Sequence, residues 1–290
     1  MTNYQIITDC TCDLSKNIYE KYPLLILPME VNLDSEVFMH TKDFQNMDAI
    51  TFYNKLKNGG VSTTSQINPE TFRIEFEKVL NEGKDILYIG FSSGLSGSLQ
   101  SSIVAKSLLE DKYPDRKIII VDSLAASAGQ GLLVYYALLN QEQGLNIEEN
   151  EKWLNDHVLN LSLWFTVDDL QFLKRGGRVS GAVAFVGTAL KIKPVLHVDN
   201  EGHLVNVSKE HGRKASLHAL ANRLHETIIE PEKQIIFISH ADALEDAEFL
   251  ATKIRSTTPI KDIIFSDIGP VIGSHSGPGT IALFFFATER

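Results

Sequence analysis

Three segments rich in hydroxyl side chains and glycine each follow an apolar run: Thr63-Thr64-Ser65-Gln66, Ser92-Ser93-Gly94-Leu95-Ser96-Gly97-Ser98 and Gly273-Ser274-His275-Ser276-Gly277-Pro278-Gly279. Ser and Thr supply neutral donors, glycine lets the backbone come close to a ligand, and His275 supplies a group whose charge can change near neutral pH. Read as loops that share one polar site, they suit a carboxylate or phosphate head group. Turns are rich in Ser and Gly for conformational reasons alone, so any single segment is equally explained as a turn. The three together form the stronger signal.

Gly90-Phe91-Ser92-Ser93-Gly94 is a literal G-x-S-x-G between an expected strand and an expected helix, the context of a hydrolase nucleophile elbow. Asp267 and His275 follow in the chain order Ser, Asp, His. A serine hydrolase acting on lipid esters through Ser92 is therefore the alternative reading. Against it, Ser92 and Ser93 blur which hydroxyl would be activated, and Asp267 and His275 fall in one expected loop. A plain structural or interaction module is a third possibility, and it leaves the three segments unexplained. Lys174-Arg175-Gly176-Gly177-Arg178 reads as a cationic turn between a short helical stretch, Asp168–Leu173, and a helix or loop beginning near Gly181. Positive charge at a helix C-terminus is favourable in itself, and the same cluster could dock an acidic partner surface or a phosphate. There is no Walker-type loop, no kinase signature set and no strand-linked G-x-G-x-x-G, so no nucleotide site is expected.

These residues need a scaffold, and 290 residues at 43 % hydrophobic can bury a substantial core in two domains of ordinary size. No apolar run approaches the ~20 residues of a membrane span, and the segment from Met1 to Ser15 has neither a basic start nor a long apolar stretch, so a cytoplasmic protein is expected. Cys10 and Cys12 are too close in sequence for an unstrained bridge, and no second Cys or His pair stands at zinc-site spacing, so free thiols and no metal are expected. A net charge of −10 argues against wholesale nucleic-acid binding while leaving room for a local basic patch.

Strand-like runs at Tyr4–Thr8, Leu24–Leu27, Asp85–Phe91 and Lys117–Val121 alternate with helical patterns from Asn68-Pro69, over Gly97–Tyr113 and over Ala126–Gln143. That alternation implies parallel pairing through right-handed crossovers. After a helix at Asn146–Leu159 the character changes. Strands at Leu161–Val167 and Pro194–Val198, a turn at Asp199–Gly202 and a strand at His203–Val207 include an antiparallel hairpin. A helix at Ala215–Thr227, a strand at Gln234–Ser239, a helix at Ala243–Arg255, a strand at Lys261–Ser266 and a terminal strand at Thr280–Thr288 complete it. The expected fold is a two-domain α/β chain: an N-terminal parallel-sheet domain over 1–150 carrying the first two hydroxyl-rich segments, and a C-terminal α+β domain with a mixed sheet over 151–290.

Taken in order, Thr8-Asp9, Asp13-Leu14, Thr64-Ser65-Gln66, Ser92-Ser93-Gly94-Leu95-Ser96-Gly97-Ser98, Asp168-Asp169-Leu170 with Gly176-Gly177-Arg178, Lys191-Ile192-Lys193-Pro194 and Gly269-Pro270-Val271 leading to His275 give a chain that resembles the DegV family of bacterial fatty-acid-binding proteins. The resemblance spans essentially the whole length. It implies a non-enzymatic carrier that holds one long-chain fatty acid, such as palmitate, stearate or oleate, in a tunnel between the two domains. It also implies a fatty acid kinase catalytic subunit as partner, acyl phosphate formation feeding phospholipid synthesis, transient membrane-surface contact and no cofactor. Carried over residue by residue, Thr64, Ser96 and His275 are expected to bind the carboxylate, with Ser65, Gln66, Ser93 and Gly97 behind them. Lys174, Arg175, Arg178 and His211 are expected to meet the partner. Two positions depart from the family pattern: Cys10 stands where the family commonly has Ser, a stronger donor, and His211 where it usually has Arg.

Overall fold

The computed structural model describes residues 3–42, 44–179 and 192–290; Lys191 and the expected element near Gly181 lie outside them. The first part of the chain runs β1 (Tyr4–Asp9), α1 (Lys16–Tyr19), β2 (Leu25–Leu27), β3 (Met29–Leu33), β4 (Glu36–His40), α2 (Ala49–Lys57), β5 (Ser62–Ser65), α3 (Pro69–Asn81), β6 (Asp85–Gly90), α4 (Ser98–Glu110) and β7 (Ile118–Asp122). Two helices follow, α5 (Ala128–Glu142) and α6 (Ile147–His157). The remainder runs β8 (Leu161–Thr166), α7 (Gln171–Arg175), β9 (Ile192–Val198), β10 (Leu204–His211), α8 (Arg213–Thr227), β11 (Ile235–His240), α9 (Leu244–Thr257), β12 (Asp262–Asp267), α10 (Pro270–Ser276) and β13 (Ile281–Phe286).

Strands β2, β1, β6 and β7 form a parallel sheet in that order, as the strand and helix alternation predicts. Its crossovers diverge between β1 and β6, which opens a crevice beyond the carboxyl ends of those two strands, where ligands of open α/β sheets bind. The second sheet, in the order β10-β9-β8-β13-β11-β12, is antiparallel except for the parallel pair β11 and β12. The two sheets give the two-domain α/β architecture. Local chemistry explains the helix starts. Asn68 accepts from the Thr71 N–H ahead of Pro69 in the first turn of α3, and Asn146 and Glu149 form a reciprocal capping box on α6.

A third, small antiparallel sheet of order β4-β3-β5 was not legible in the sequence. It turns Thr63–Ser65 of the expected loop Thr63–Gln66 into a strand, with Thr64 opposite Val31. The expected loop at Gly273–Gly279 is likewise a helix as far as Ser276, because Gly269-Pro270 supplies a helix start and only Gly277, with φ of 79°, breaks the turn. The cationic turn also begins later than expected: α7 covers Gln171–Arg175, so Lys174 and Arg175 are helical.

The end of β1 carries the most demanding polar group of the core. Asp9 is fully buried, and its carboxyl accepts from the Tyr88 hydroxyl at 2.7 Å, the Thr11 N–H at 3.1 Å, the Phe91 N–H at 3.3 Å and the Gln130 amide at 3.4 Å. Burial, and then the Asp9 charge, push the Tyr88 phenol well above its ordinary range, so it stays a donor. Tyr88→Phe is expected to cost about 1.5–3 kcal/mol, the scale of a hydrogen bond to a charged group, read as a lower urea midpoint. An unchanged midpoint would mean that the other donors compensate fully.

Candidate functional site

The crevice beyond β1 and β6 is closed on its far side by one face of the mixed sheet. Alternation along each strand decides that face. On β8 and β13, Leu163 pairs with Phe284 and Phe165 with Ala282, all four directed inward, while Trp164, Ile281, Leu283 and Phe285 belong to the core on the other face. Val198 and Leu204, paired across β9 and β10, extend the inward surface. Opposite stand Met29, Phe91 and Leu95, with Val271 and Ile272 from α10. Between them lies a cavity of about 220 Å³. A single water needs only roughly 10–15 Å³, so the space fits a molecule of many atoms, and its walls are mainly hydrocarbon.

The polar part of this cavity is compact. Thr64 on β5 and His275 on α10 meet through Oγ1 and Nε2 at 2.7 Å, and beside them the hydroxyls of Ser62 and Ser274 meet at 2.6 Å. Ser96 accepts from the Ser98 N–H at 3.2 Å, and Ser98 in turn accepts from the Ile67 N–H at 3.1 Å. Arg178 reaches the same place: its Nε donates to the Leu95 carbonyl at 3.2 Å and it also bonds the Gly176 carbonyl. Gly176 lies flat against the imidazole, where a Cβ would come within 2.3 Å of His275 Nδ1. The Gly-Gly before Arg178 is thus what lets this turn dock on α10.

His275 is pushed down to about 4, first by burial and then by the Arg178 guanidinium. Its ring is neutral at pH 7. Nδ1 is buried with no partner, and an unpaired lone pair is easier to bury than an unpaired N–H, which puts the proton on Nε2. That proton goes to Thr64 Oγ1, so the Thr64 hydrogen is free to face the cavity. The positive charge of the site is therefore on Arg178, not on the histidine.

Thr64, Gln66, Ser96, Gly97, Arg178 and His275 all line this one cavity. Gln66 packs over Gly97, where a Cβ would meet its Oε1 at 2.2 Å. Ser65 and Ser93 do not line it. Ser65, one residue out of phase with Thr64, is exposed and donates to Glu30 at 2.8 Å, and Ser93 is exposed with its N–H on Asp122 at 3.3 Å. Lys174 and Arg175 are exposed on α7, with the Arg175 guanidinium 4.6 Å from the Phe172 ring centre, and His211 is exposed at the end of β10. Arg178, expected on that outer surface, is half-buried in the cavity wall because the Gly176-Gly177 turn folds it inward. Cys10 is buried, and burial pushes its thiol well above the ordinary range.

The hydrolase alternative does not assemble. Ser92 is fully buried and donates to the Gly202 carbonyl at 2.9 Å, His275 bonds Thr64, and Asp267 faces His240 Nδ1 at 3.7 Å. No group of three or more His, Cys, Asp or Glu that could hold a metal occurs among the described residues, and no helix among them is long and apolar enough to cross a membrane. Ser127, a further cavity-lining residue that sequence reasoning passed over, has φ of 53°, a backbone state that no sequence signal announced.

The site is thus a mostly apolar cavity with one cationic, hydroxyl-lined end, set between a parallel and a mixed sheet. The chain belongs to the DegV family: the family described as "Uncharacterised protein, DegV family" matches residues 3–288. It is 44 % identical over 290 residues to a DegV domain-containing protein of Clostridium perfringens, covering 100 % of this chain and 99 % of that one. Among solved structures, a DegV lipid binding protein from Thermotoga maritima superposes with a TM-score of 0.88 at 30 % identity, with 100 % of each chain covered. A DegV family protein from Thermus thermophilus, described for its fatty acid binding, superposes with a TM-score of 0.86 at 28 % identity, covering 99 % of this chain and 100 % of that one.

The depressed histidine has a measurable consequence. In the unfolded chain His275 titrates near ~6.5, whereas in the fold it titrates at about 4. Between these values the unfolded state binds the extra proton, so the stability that His275 contributes is complete above about pH 6.5 and is lost as pH falls toward about 4. NMR of the ring should show neutral imidazole throughout roughly pH 5 to 7. A midpoint above about 6 would contradict the assignment.

Proposed function

We propose that this protein is a carrier, not an enzyme, that binds one long-chain fatty acid and presents its carboxylate to a fatty acid kinase catalytic subunit. The observation that carries the reading is the convergence of Thr64, Ser96, His275 and Arg178 on one end of an otherwise hydrocarbon-lined cavity. A carboxylate is costly to bury unless several donors and an opposite charge meet it. Arg178 supplies the charge, the Thr64 and Ser96 hydroxyls supply donors, and neutral His275 orients Thr64. The acyl chain, lying between the parts 1–150 and 151–290, supplies the gross affinity: at roughly 0.8 kcal/mol per buried CH₂, about sixteen carbons bury on the order of 10 kcal/mol. Palmitate, stearate and oleate all fit this chemistry. The lipid-binding and fatty acid-binding relatives support the same class of ligand.

Handing over requires a partner, because the chain has no nucleotide-binding motif and the phosphoryl group must come from elsewhere. Lys174 and Arg175 stand on the outer face of α7, next to the turn whose Arg178 reaches the head-group end. In a chain of net charge −10 they form a local positive surface that can orient an acidic partner. His211 is exposed on β10 and would add a further contact, weaker than the forked grip of an arginine. A carrier that feeds an ATP-using kinase and then phospholipid synthesis would work in the cytoplasm and touch the membrane surface only in passing.

Protein purified from a bacterial host is expected to carry about one long-chain fatty acid per chain, detected by native mass spectrometry and lipid extraction. Ser96→Ala and Thr64→Ala should each weaken oleate binding by about 1–3 kcal/mol, and no serine should react with a fluorophosphonate probe. A delipidated protein that takes up neither palmitate nor oleate refutes the reading, and labelling of Ser92 would revive the hydrolase. Lys174→Glu combined with Arg175→Glu should leave fatty acid occupancy unchanged and lower the kinase-coupled rate of acyl phosphate formation at physiological salt. An unaltered coupled rate would remove α7 from the docking surface.

A further inference from the structure

Asp13 touches no part of the acyl cavity, yet it holds two of its walls. It follows the tight turn Cys10–Cys12 after β1, has a left-handed backbone with φ of 43°, and is 8 % exposed. Its Oδ1 accepts from the Gly269 N–H at 2.9 Å, and its Oδ2 lies 2.5 Å from Ser127 Oγ. Gly269 is the capping residue just ahead of α10, the helix that brings Val271, Ile272, His275 and Ser276 to the cavity. Ser127 precedes α5 and lines the same cavity. The joint is tight: a Cβ on Gly269 would come within 2.8 Å of Asp13 Oδ1 and 2.5 Å of His40 Nε2.

We propose that Asp13 is the positioning residue of the head-group site, holding the start of the His275 helix and the Ser127 turn through one shared carboxyl. The inference rests on the fatty acid reading of the cavity. Its chemistry follows from the next partner in line, Ser239, whose Oγ is 3.0 Å from Ser127 Oγ. A neutral Asp13 donates to Ser127, and Ser127 then donates to Ser239. An ionised Asp13 reverses the chain, accepting from Ser127 while Ser239 donates to Ser127. Ionisation also sets a buried negative charge one hydroxyl behind a cavity that receives a carboxylate.

Burial pushes Asp13 up to about 8 against the opposing pull of Ser127 and the Gly269 N–H, and the charges of Asp267 and Asp9 push the same way as burial. Of the other groups around it, Cys10, Cys12 and Tyr53 are themselves pushed well up by burial and stay uncharged, and the His40 ring lies beside the joint. A second cavity of about 370 Å³, with Lys16 and Lys42 in its wall, gives the Asp13 carboxyl its route to solvent protons. As pH rises through about 8, the ionised form accumulates and carboxylate binding weakens.

The test uses the full chain and its Asp13→Asn and Asp13→Ala variants, with oleate as the probe. Wild type should lose about threefold or more in oleate affinity between roughly pH 6.5 and 9. Asp13→Asn, whose amide donates to Ser127 and whose oxygen accepts from Gly269 as the neutral acid does, should match wild type within about twofold at the lower pH and show no such loss. Asp13→Ala should bind about tenfold or more weakly. The backbone amide resonances of Gly269 and His275 should follow the same midpoint in wild type without any ligand, and not in Asp13→Asn. A wild-type pH profile in Asp13→Asn, or wild-type affinity in a folded Asp13→Ala, overturns the proposal. Should Asp13→Ala fail to fold, the Asn profile and the two amide resonances decide. If wild type takes up no oleate at any pH, the fatty acid reading fails, and the amide resonances alone uphold or overturn Asp13 as the link between the two walls.

Discussion

A buried carboxylate at the end of a strand is tolerated only where the chain brings donors to it, and at Asp9 four segments do so. The turn after β1, the side chain of Tyr88 on β6, the backbone at Phe91 and Gln130 on α5 all point at one carboxyl group. Removing any partner leaves the others facing a charge in a medium of low dielectric, so the four are held in common. This is the constraint that places the site. The chain after Phe91 leaves β6 in a fixed direction and delivers Ser96, and the start of α5 is fixed beside Ser127.

The cavity is a consequence of two surfaces that cannot close on each other. The crevice of the parallel sheet is set by its divergent crossovers, and the inward face of the mixed sheet is set by strand alternation. Each presents hydrocarbon, and between them the small sheet of β3, β4 and β5 and the helix α10 act as spacers. Thr64 and His275 sit on those spacers, so the polar end of the cavity is built by elements that belong to neither large sheet. The cavity is therefore divided between hydrocarbon walls from the two large sheets and a polar end from the spacers.

Charge and hydrogen bonding are likewise divided within the head-group end. Burial and the nearby guanidinium keep His275 neutral, which frees it to fix the hydroxyl of Thr64, while the guanidinium itself supplies attraction for an anion. A histidine carrying the positive charge would compete with Arg178 for the same ligand and would lose it as pH rose.

Sequence alone determined the layer architecture, because short apolar strands alternating with capped helices leave few ways to pair, and the hairpin at Asp199–Gly202 carries its own turn chemistry. The hydroxyl- and glycine-rich segments suggested one shared polar site, although turn chemistry explains any one of them equally well, and it was the resemblance to the DegV family that singled out Thr64, Ser96 and His275 within them. Ser65 and Ser93 share that composition, and only the pleat and the turn, which point them outward, separate them from their neighbours. Tertiary structure alone decided that Thr64 lies on a strand, because β5 exists only through pairing with β3 across a long sequence separation. It alone turned Arg178 inward, because that depends on Gly176 meeting an imidazole about a hundred residues away. Asp13 shows the same limit most plainly. Nothing in the chain around it reveals that its partners are Ser127 and Gly269, for long-range hydrogen bonds leave no local pattern to read.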